Sequence, residues 1–252
     1  MNSARWWRIV RMPFFVLLFG YLALAVAAPF LAEAMLYYPK FGSFRAPGGM
    51  RKIRGSDGRS IAVLHLPNPQ AWFTLWFFHG NAEDLGDIEP QLRMFQAAGF
   101  AVFACEYPGY GHTEGRPSEA ALNAAARTAR TYLREELRVP AERTLLHGRS
   151  LGNGPAVQLA TEERLGGLIV QSGFLSVFRV MTRWPLLPFD QFKNLKKMPF
   201  VRCPVLVIHG RADEVISFHH GEALLEAAPG PKQHLWLSGA GHNNLVDVAG
   251  DR

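Results

Sequence analysis

Ser150 stands in Gly148-Arg149-Ser150-Leu151-Gly152, Asp213 closes His209-Gly210-Arg211-Ala212-Asp213, and His242 follows Gly241 near the end of the chain. A hydroxyl, a carboxylate and an imidazole are the groups of nucleophilic acyl transfer: the imidazole takes the hydroxyl proton, and the carboxylate fixes the imidazole tautomer. The order serine, acid, histidine along the chain separates one arrangement of these groups from the two other orders seen on unrelated folds. The five-residue glycine–serine pattern alone would arise by chance in roughly one chain of this composition in ten. Its weight comes from the two partners downstream.

Local context supports each assignment. Gly148–Gly152 lies between a strand-like run ending at Leu146-His147 and a helical pattern, the strand–turn–helix setting of a nucleophile elbow. Asp213 lies in the loop after the apolar run Pro204–Ile208. Glu214 competes with it, and Asp213 is preferred on motif position; it also reads as an N-cap for the helical pattern that follows. His242 sits in Ser238-Gly239-Ala240-Gly241-His242-Asn243, a loop after the last strand, where a general base can reach across a sheet edge. Of the nine histidines, His79 and His209 each precede a glycine at a strand end and read as loop-orienting, while His219 and His220 are too near Asp213 in sequence. An oxyanion hole would draw on the Leu151 amide and on Asn81 in His79-Gly80-Asn81-Ala82, with Ala82 as the alternative donor. The same stretch also reads as a plain turn with Asp84 capping the next helix.

These residues need a scaffold that brings strand ends together. Strands are expected at Trp72–Phe78, Phe100–Cys105, Arg143–Leu146, Gly167–Val170, Pro204–Ile208 and His234–Leu237. Helices are expected near Leu85–Ala97, Ser118–Leu137, Gly152–Glu163 and Phe218–Ala227. Such apolar strands alternating with helices imply an α/β fold with a mostly parallel central sheet covered on both faces. Met50–Arg54 and Ser60–Leu66, around Ser56-Asp57-Gly58, read as a hairpin. Phe174–Phe200 breaks the rhythm: it is long, apolar and carries Pro185, Pro188 and Pro199. It reads either as a lid inserted near residues 174–200, lining an acyl pocket or touching a membrane, or as a helix packed on the sheet.

Composition adds a second theme. Apolar residues make up 48% and charged residues 19%, and much of the apolar surplus lies between Met12 and Ala32, a run without a charge. As a helix this run reaches about 30 Å, the thickness of a bilayer hydrocarbon core. Trp6 and Trp7 precede it and Tyr37 and Tyr38 follow it, as interfacial aromatics would. A cleaved signal peptide, with Ala25-Val26-Ala27 or Ala32-Glu33-Ala34 as its site, and a buried core helix are the other readings. The run exceeds the 7–15 residues of a signal h-region, which favours an anchor. Residues 1–38 therefore read as a single-pass membrane anchor and 39–252 as the catalytic domain. Arg5, Arg8 and Arg11 before the run place that domain on the non-cytoplasmic side. The net charge of +6 is dispersed, with no basic block suggesting a nucleic-acid partner. Cys105 and Cys203 read as buried strand thiols, with no metal-ligand spacing.

Taken together, His79-Gly80-Asn81-Ala82, Tyr107-Pro108-Gly109-Tyr110-Gly111, Gly148–Gly152, His209–Asp213 and Gly239-Ala240-Gly241-His242 resemble the Bem46-like α/β-hydrolase family, which includes the α/β-hydrolase domain 17 group. The resemblance runs from about Arg51 to His242. It implies an α/β-hydrolase fold and a serine hydrolase with Ser150, Asp213 and His242 as triad, acting on esters or thioesters without metal or organic cofactor. The expected partners are the lipid bilayer, through the N-terminal helix, and a small-molecule or lipid ester substrate. A peptidase or amidase on the same triad and a non-catalytic membrane-tethered binding module are the alternatives. The sequence departs from the depalmitoylating members in three places. It lacks their N-terminal cysteine cluster, it carries Arg149 where they have Gln, and only ten residues follow His242, leaving little of a closing helix.

Overall fold

The computed structural model describes residues 3–39, 46–55, 57–182, 184 and 188–250, and of residues 3–10, 29, 31, 32, 34 and 35 the backbone only. The side chains of Arg5, Trp6, Trp7 and Arg8, and all of Ser56, Pro185, Leu186 and Leu187, thus lie outside the described residues. Among the described residues, eight strands form one sheet. They are β1 (Met50–Arg54), β2 (Ser60–Leu66), β3 (Thr74–Phe78), β4 (Ala101–Cys105), β5 (Thr144–Arg149), β6 (Gly167–Gln171), β7 (Val205–Gly210) and β8 (Lys232–Leu237). Their spatial order is β1-β2-β4-β3-β5-β6-β7-β8. The pairs β1–β2 and β2–β4 are antiparallel, and every pairing from β4 to β8 is parallel.

The helices are α1 (Ser3–Leu36), α2 (Leu85–Ala97), α3 (Glu119–Glu135), α4 (Asn153–Glu162), α5 (Val177–Met181), α6 (Asn194–Lys197), α7 (His219–Ala227) and α8 (Leu245–Ala249). Capping sets several starts. Asp84 and Asp87 form a capping box on α2, and the Ser118 hydroxyl accepts from the Ala121 amide on α3.

β3 and β4 are buried along their whole length, as strands covered on both faces must be. Alternation splits their side chains between two cores. Trp76, Phe78 and Phe103 join the layer under α3 and α4, while Phe77 and Val102 pack with Leu85, Ile88 and Leu92 of α2. Register then sets up the site. Phe78 pairs with Gly148 and Gln171 with Arg149, so the chain leaves β3, β5 and β6 at one sheet edge. Asp213 and His242 follow the ends of β7 and β8 on that same edge. In open parallel sheets this carboxyl edge is where ligands bind.

Several boundaries differ from the sequence reading. β5 continues past Leu146 to Arg149, and β7 past Ile208 to Gly210, because glycine in a parallel ladder keeps its backbone bonds despite lacking a side chain to bury. The hairpin strands coincide with those expected. The segment 174–200 does two jobs. Phe174, Leu175, Phe192 and Met198 are core residues, with the Phe192 ring pressed on Gly154 of α4, where a Cβ would come within 2.2 Å of it. Met181, Trp184, Phe189 and Phe200 are exposed.

At the N-terminus, α1 contains an 18-residue window, Arg11–Ala28, with mean hydropathy 1.8. It is long and apolar enough to cross a bilayer, and only 11% of it is buried against the body. Tyr37 corrects the expectation of a pair of interfacial aromatics: it is buried in the main core, and its hydroxyl donates to Gln191 Oε1 at 3.4 Å. Tyr38 remains exposed.

Candidate active site

The turn after β5 carries Ser150 at φ +49°, in the left-handed region that costs a non-glycine residue about 1–3 kcal/mol. Packing on both sides holds it there. Gly148 has the Asn153 backbone and Gly152 the Phe78 carbonyl where a Cβ would stand, at 2.7 and 2.2 Å. Only glycine allows α4 and the β3 end to approach this closely. Asn153, fully buried, ties the turn down by donating to the Ser150 and Gln171 carbonyls, both at 2.9 Å.

The structure brings Ser150, His242 and Asp213 together. His242 Nδ1 lies 2.9 and 3.1 Å from the two Asp213 carboxyl oxygens, and His242 Nε2 lies 3.1 Å from Ser150 Oγ. An ionised carboxylate only accepts, so the imidazole proton sits on Nδ1 and leaves Nε2 free to accept the serine hydroxyl. Burial alone would raise the Asp213 carboxyl. The hydrogen bond from His242, with N–H donors from Ile216 and Val215, outweighs burial and holds it below the usual carboxylate range. Asp213 thus caps the turn that follows it rather than the more distant α7. Glu214 is placed differently: its carboxylate accepts the His242 backbone N–H at 3.2 Å and steadies the histidine loop instead of the ring.

On the other side of Ser150, the loop after β3 presents Gly80, Asn81 and Ala82 to the same cavity as Leu151. The Ala82 amide donates to Asn81 Oδ1 at 3.0 Å. This loop is braced from below. His79 is completely buried, with Nδ1 donating to the Gly80 carbonyl at 2.8 Å and Nε2 2.9 Å from the equally buried Glu106. Burial disfavours the imidazolium, but Glu106 and the Gly80 carbonyl outweigh it and push the His79 pKa above its ordinary value. His209 plays the matching part below the acid loop, bonding the Ile216 carbonyl at 2.8 Å.

Three features of the site were not read from sequence. Arg149 is paired with Glu83 at 2.5 Å and reaches Asn243 at 3.3 Å, so the charge beside the nucleophile is compensated and links the two loops flanking Ser150. Glu83 in turn accepts the Gly80 amide at 2.7 Å. Asn153 had no local signature at all. The third is the size of the cavity, about 600 Å³ and largely apolar, which opens from Ser150 and His242 onto Phe174, Val177, Phe178 and Met181, residues of the segment expected either to line a pocket or to pack on the sheet. Among the described residues no group of three or more His, Cys, Asp and Glu side chains is arranged to hold a metal ion.

The chain is 42% identical over 196 residues to the α/β-hydrolase domain-containing protein aho-3 of Caenorhabditis elegans, covering 74% of this chain and 57% of that one. It is 37% identical over 196 residues to the human α/β-hydrolase domain-containing protein 17B, covering 76% and 68%. It thus spans between about half and two thirds of the length of these relatives. In solved structures the fold recurs in an esterase of Pyrococcus furiosus, with a TM-score of 0.70 at 15% identity over 84% of this chain and 93% of that one. It recurs also in a serine hydrolase homologue of Coxiella burnetii, with a TM-score of 0.64 at 15% identity over 81% and 95%. No family model matches the chain.

Proposed function

Because this chain belongs to the α/β-hydrolase domain 17 family, we propose that it is a membrane-anchored serine hydrolase that cleaves carboxylic ester or thioester bonds of substrates with an apolar acyl group. The observation that carries this reading is the Ser150–His242–Asp213 hydrogen-bond chain opening into an apolar cavity of about 600 Å³. Ser150 Oγ attacks the acyl carbonyl carbon as its proton passes to His242 Nε2, and Asp213 stabilises the imidazolium. The Asn81 and Leu151 amides receive the oxyanion, each worth about 10²–10³ in turnover. His242 then protonates the departing alcohol or thiol, leaving an acyl-serine. It next takes a proton from water, whose hydroxide attacks the acyl carbon and releases the carboxylic acid and the free Ser150 hydroxyl.

α1 serves as the single-pass anchor of residues 1–38, with the hydrolase domain of residues 39–252 on the non-cytoplasmic side. The exposed apolar window from Arg11 to Ala28 and the three arginines at its start support that placement. Fluorophosphonate labelling of membranes tests the nucleophile: wild type is expected to label and Ser150→Ala not to, while an unlabelled wild type would leave a binding module as the better reading. Matched ester and amide substrates then separate an esterase from a peptidase. Protease protection in sealed vesicles of known orientation tests the side.

A further inference from the structure

The cavity that starts at Ser150 does not end within the hydrolase domain. Leu24, Ala28, Leu36 and Tyr38 of α1 and its tail form one wall, facing Val177 and Phe178 of α5 across the space. Leu24 and Ala28 lie inside the bilayer-length apolar window, whereas Leu36 and Tyr38 lie beyond it. From Leu24 to Leu36 the helix rises about 18 Å, of which about 6 Å, from Leu24 to Ala28, lies inside that window. The wall is fastened at both ends. Ala25 and Ala28 are buried residues on a helix otherwise mostly exposed, small enough for α1 and α5 to pack closely. At the tail, the Asn81 side chain donates to the Leu36 carbonyl, and the Tyr38 amide donates to Asn81 Oδ1 at 3.0 Å and to the Tyr110 hydroxyl at 3.2 Å. The helix therefore ends on Asn81, the residue proposed above to supply one oxyanion donor. At the α5 side of the cavity Met181 is exposed, an apolar side chain suited to lipid rather than water.

We propose that the C-terminal part of α1 is a wall of the acyl-binding site, and that the acyl chain of a bilayer-resident ester or thioester enters sideways from the membrane, along α1, to reach Ser150. This rests on the hydrolase and anchor readings above. Leu24, half-exposed and at the far end of the wall, would then limit the length of chain accepted.

The test uses the full chain in phosphatidylcholine vesicles, with p-nitrophenyl butyrate and palmitate as substrates and fluorophosphonate labelling as the active-site count. Leu24→Trp is expected to lower the palmitate-to-butyrate ratio of kcat/KM at least tenfold, and Leu24→Ala to keep or raise it. Leu17→Trp, on the exposed stripe away from the cavity, is the helix control and should keep the wild-type ratio. A wild-type ratio in Leu24→Trp, or an equal fall in Leu17→Trp, overturns the wall while leaving the hydrolase reading intact. Absence of labelling and turnover in wild type overturns both.

Discussion

At the scale of single residues, the acid assignment turns on which carboxylate meets the ring and which meets the backbone. Asp213 contacts His242 Nδ1 and Glu214 the His242 amide. Asp213→Asn is expected to lower kcat by about 10⁴, since an amide favours the wrong tautomer. Glu214→Gln should cost only about tenfold, the loss of one charge-assisted bond. Steady-state kinetics on one ester checks both. The depressed Asp213 pKa also fixes a pH window. The folded carboxyl titrates below the unfolded value of about 3.9, so its stabilisation is present above that pH and lost as pH falls through the lower, folded pKa. The difference in melting temperature between wild type and Asp213→Asn should hold from neutral pH down to about pH 5 and shrink only below about pH 4. Shrinkage already near neutrality would mean that Asp213 is not the paired carboxylate.

At the scale of elements, the site depends on how closely the β5–α4 turn and the β3 loop approach. Gly152→Ala places a methyl group 2.2 Å from the Phe78 carbonyl oxygen, and backbone cannot step aside as a flexible side chain can. A loss of about 3 kcal/mol or more in denaturant unfolding is expected. A loss below about 0.5 kcal/mol would show that the close approach is not needed. The His79–Glu106 pair beneath the loop offers a second check. Glu106→Gln leaves the buried imidazole without its counter-charge, so the imidazole is held neutral and the variant should melt below wild type near neutral pH. Because the His79 pKa is raised on folding, the stabilisation is fully present below about pH 6.5 and disappears as pH rises through the folded value. The penalty should therefore shrink in alkaline solution, as melting curves across pH would reveal.

At the scale of the whole molecule, α1 is expected to hold the protein in the membrane by apolar burial, not charge. Washing membranes with about 1 M salt, which cuts the Debye length to about 3 Å, should release none of it, whereas detergent should release all. Release by salt alone would remove the anchor. Much of this was legible in the chain itself. The strands and their alternation, the elbow, the acid loop, the histidine loop and the apolar N-terminal run are written in local patterns of residue type, because period, turn chemistry and nearest-neighbour spacing are local properties. Tyr37 was misread for the same reason, since an aromatic after an apolar run looks interfacial whether or not it folds into a core. What only the tertiary structure decided involves residues far apart in sequence. Register set Gly148 beside Phe78, packing placed Asn153 under the elbow, Glu83 was set against Arg149, and Asn81 was tied to the tail of α1. The cavity shared by Ser150 and Leu24 belongs to the same group, because a void is bounded by chain segments whose proximity no local pattern encodes.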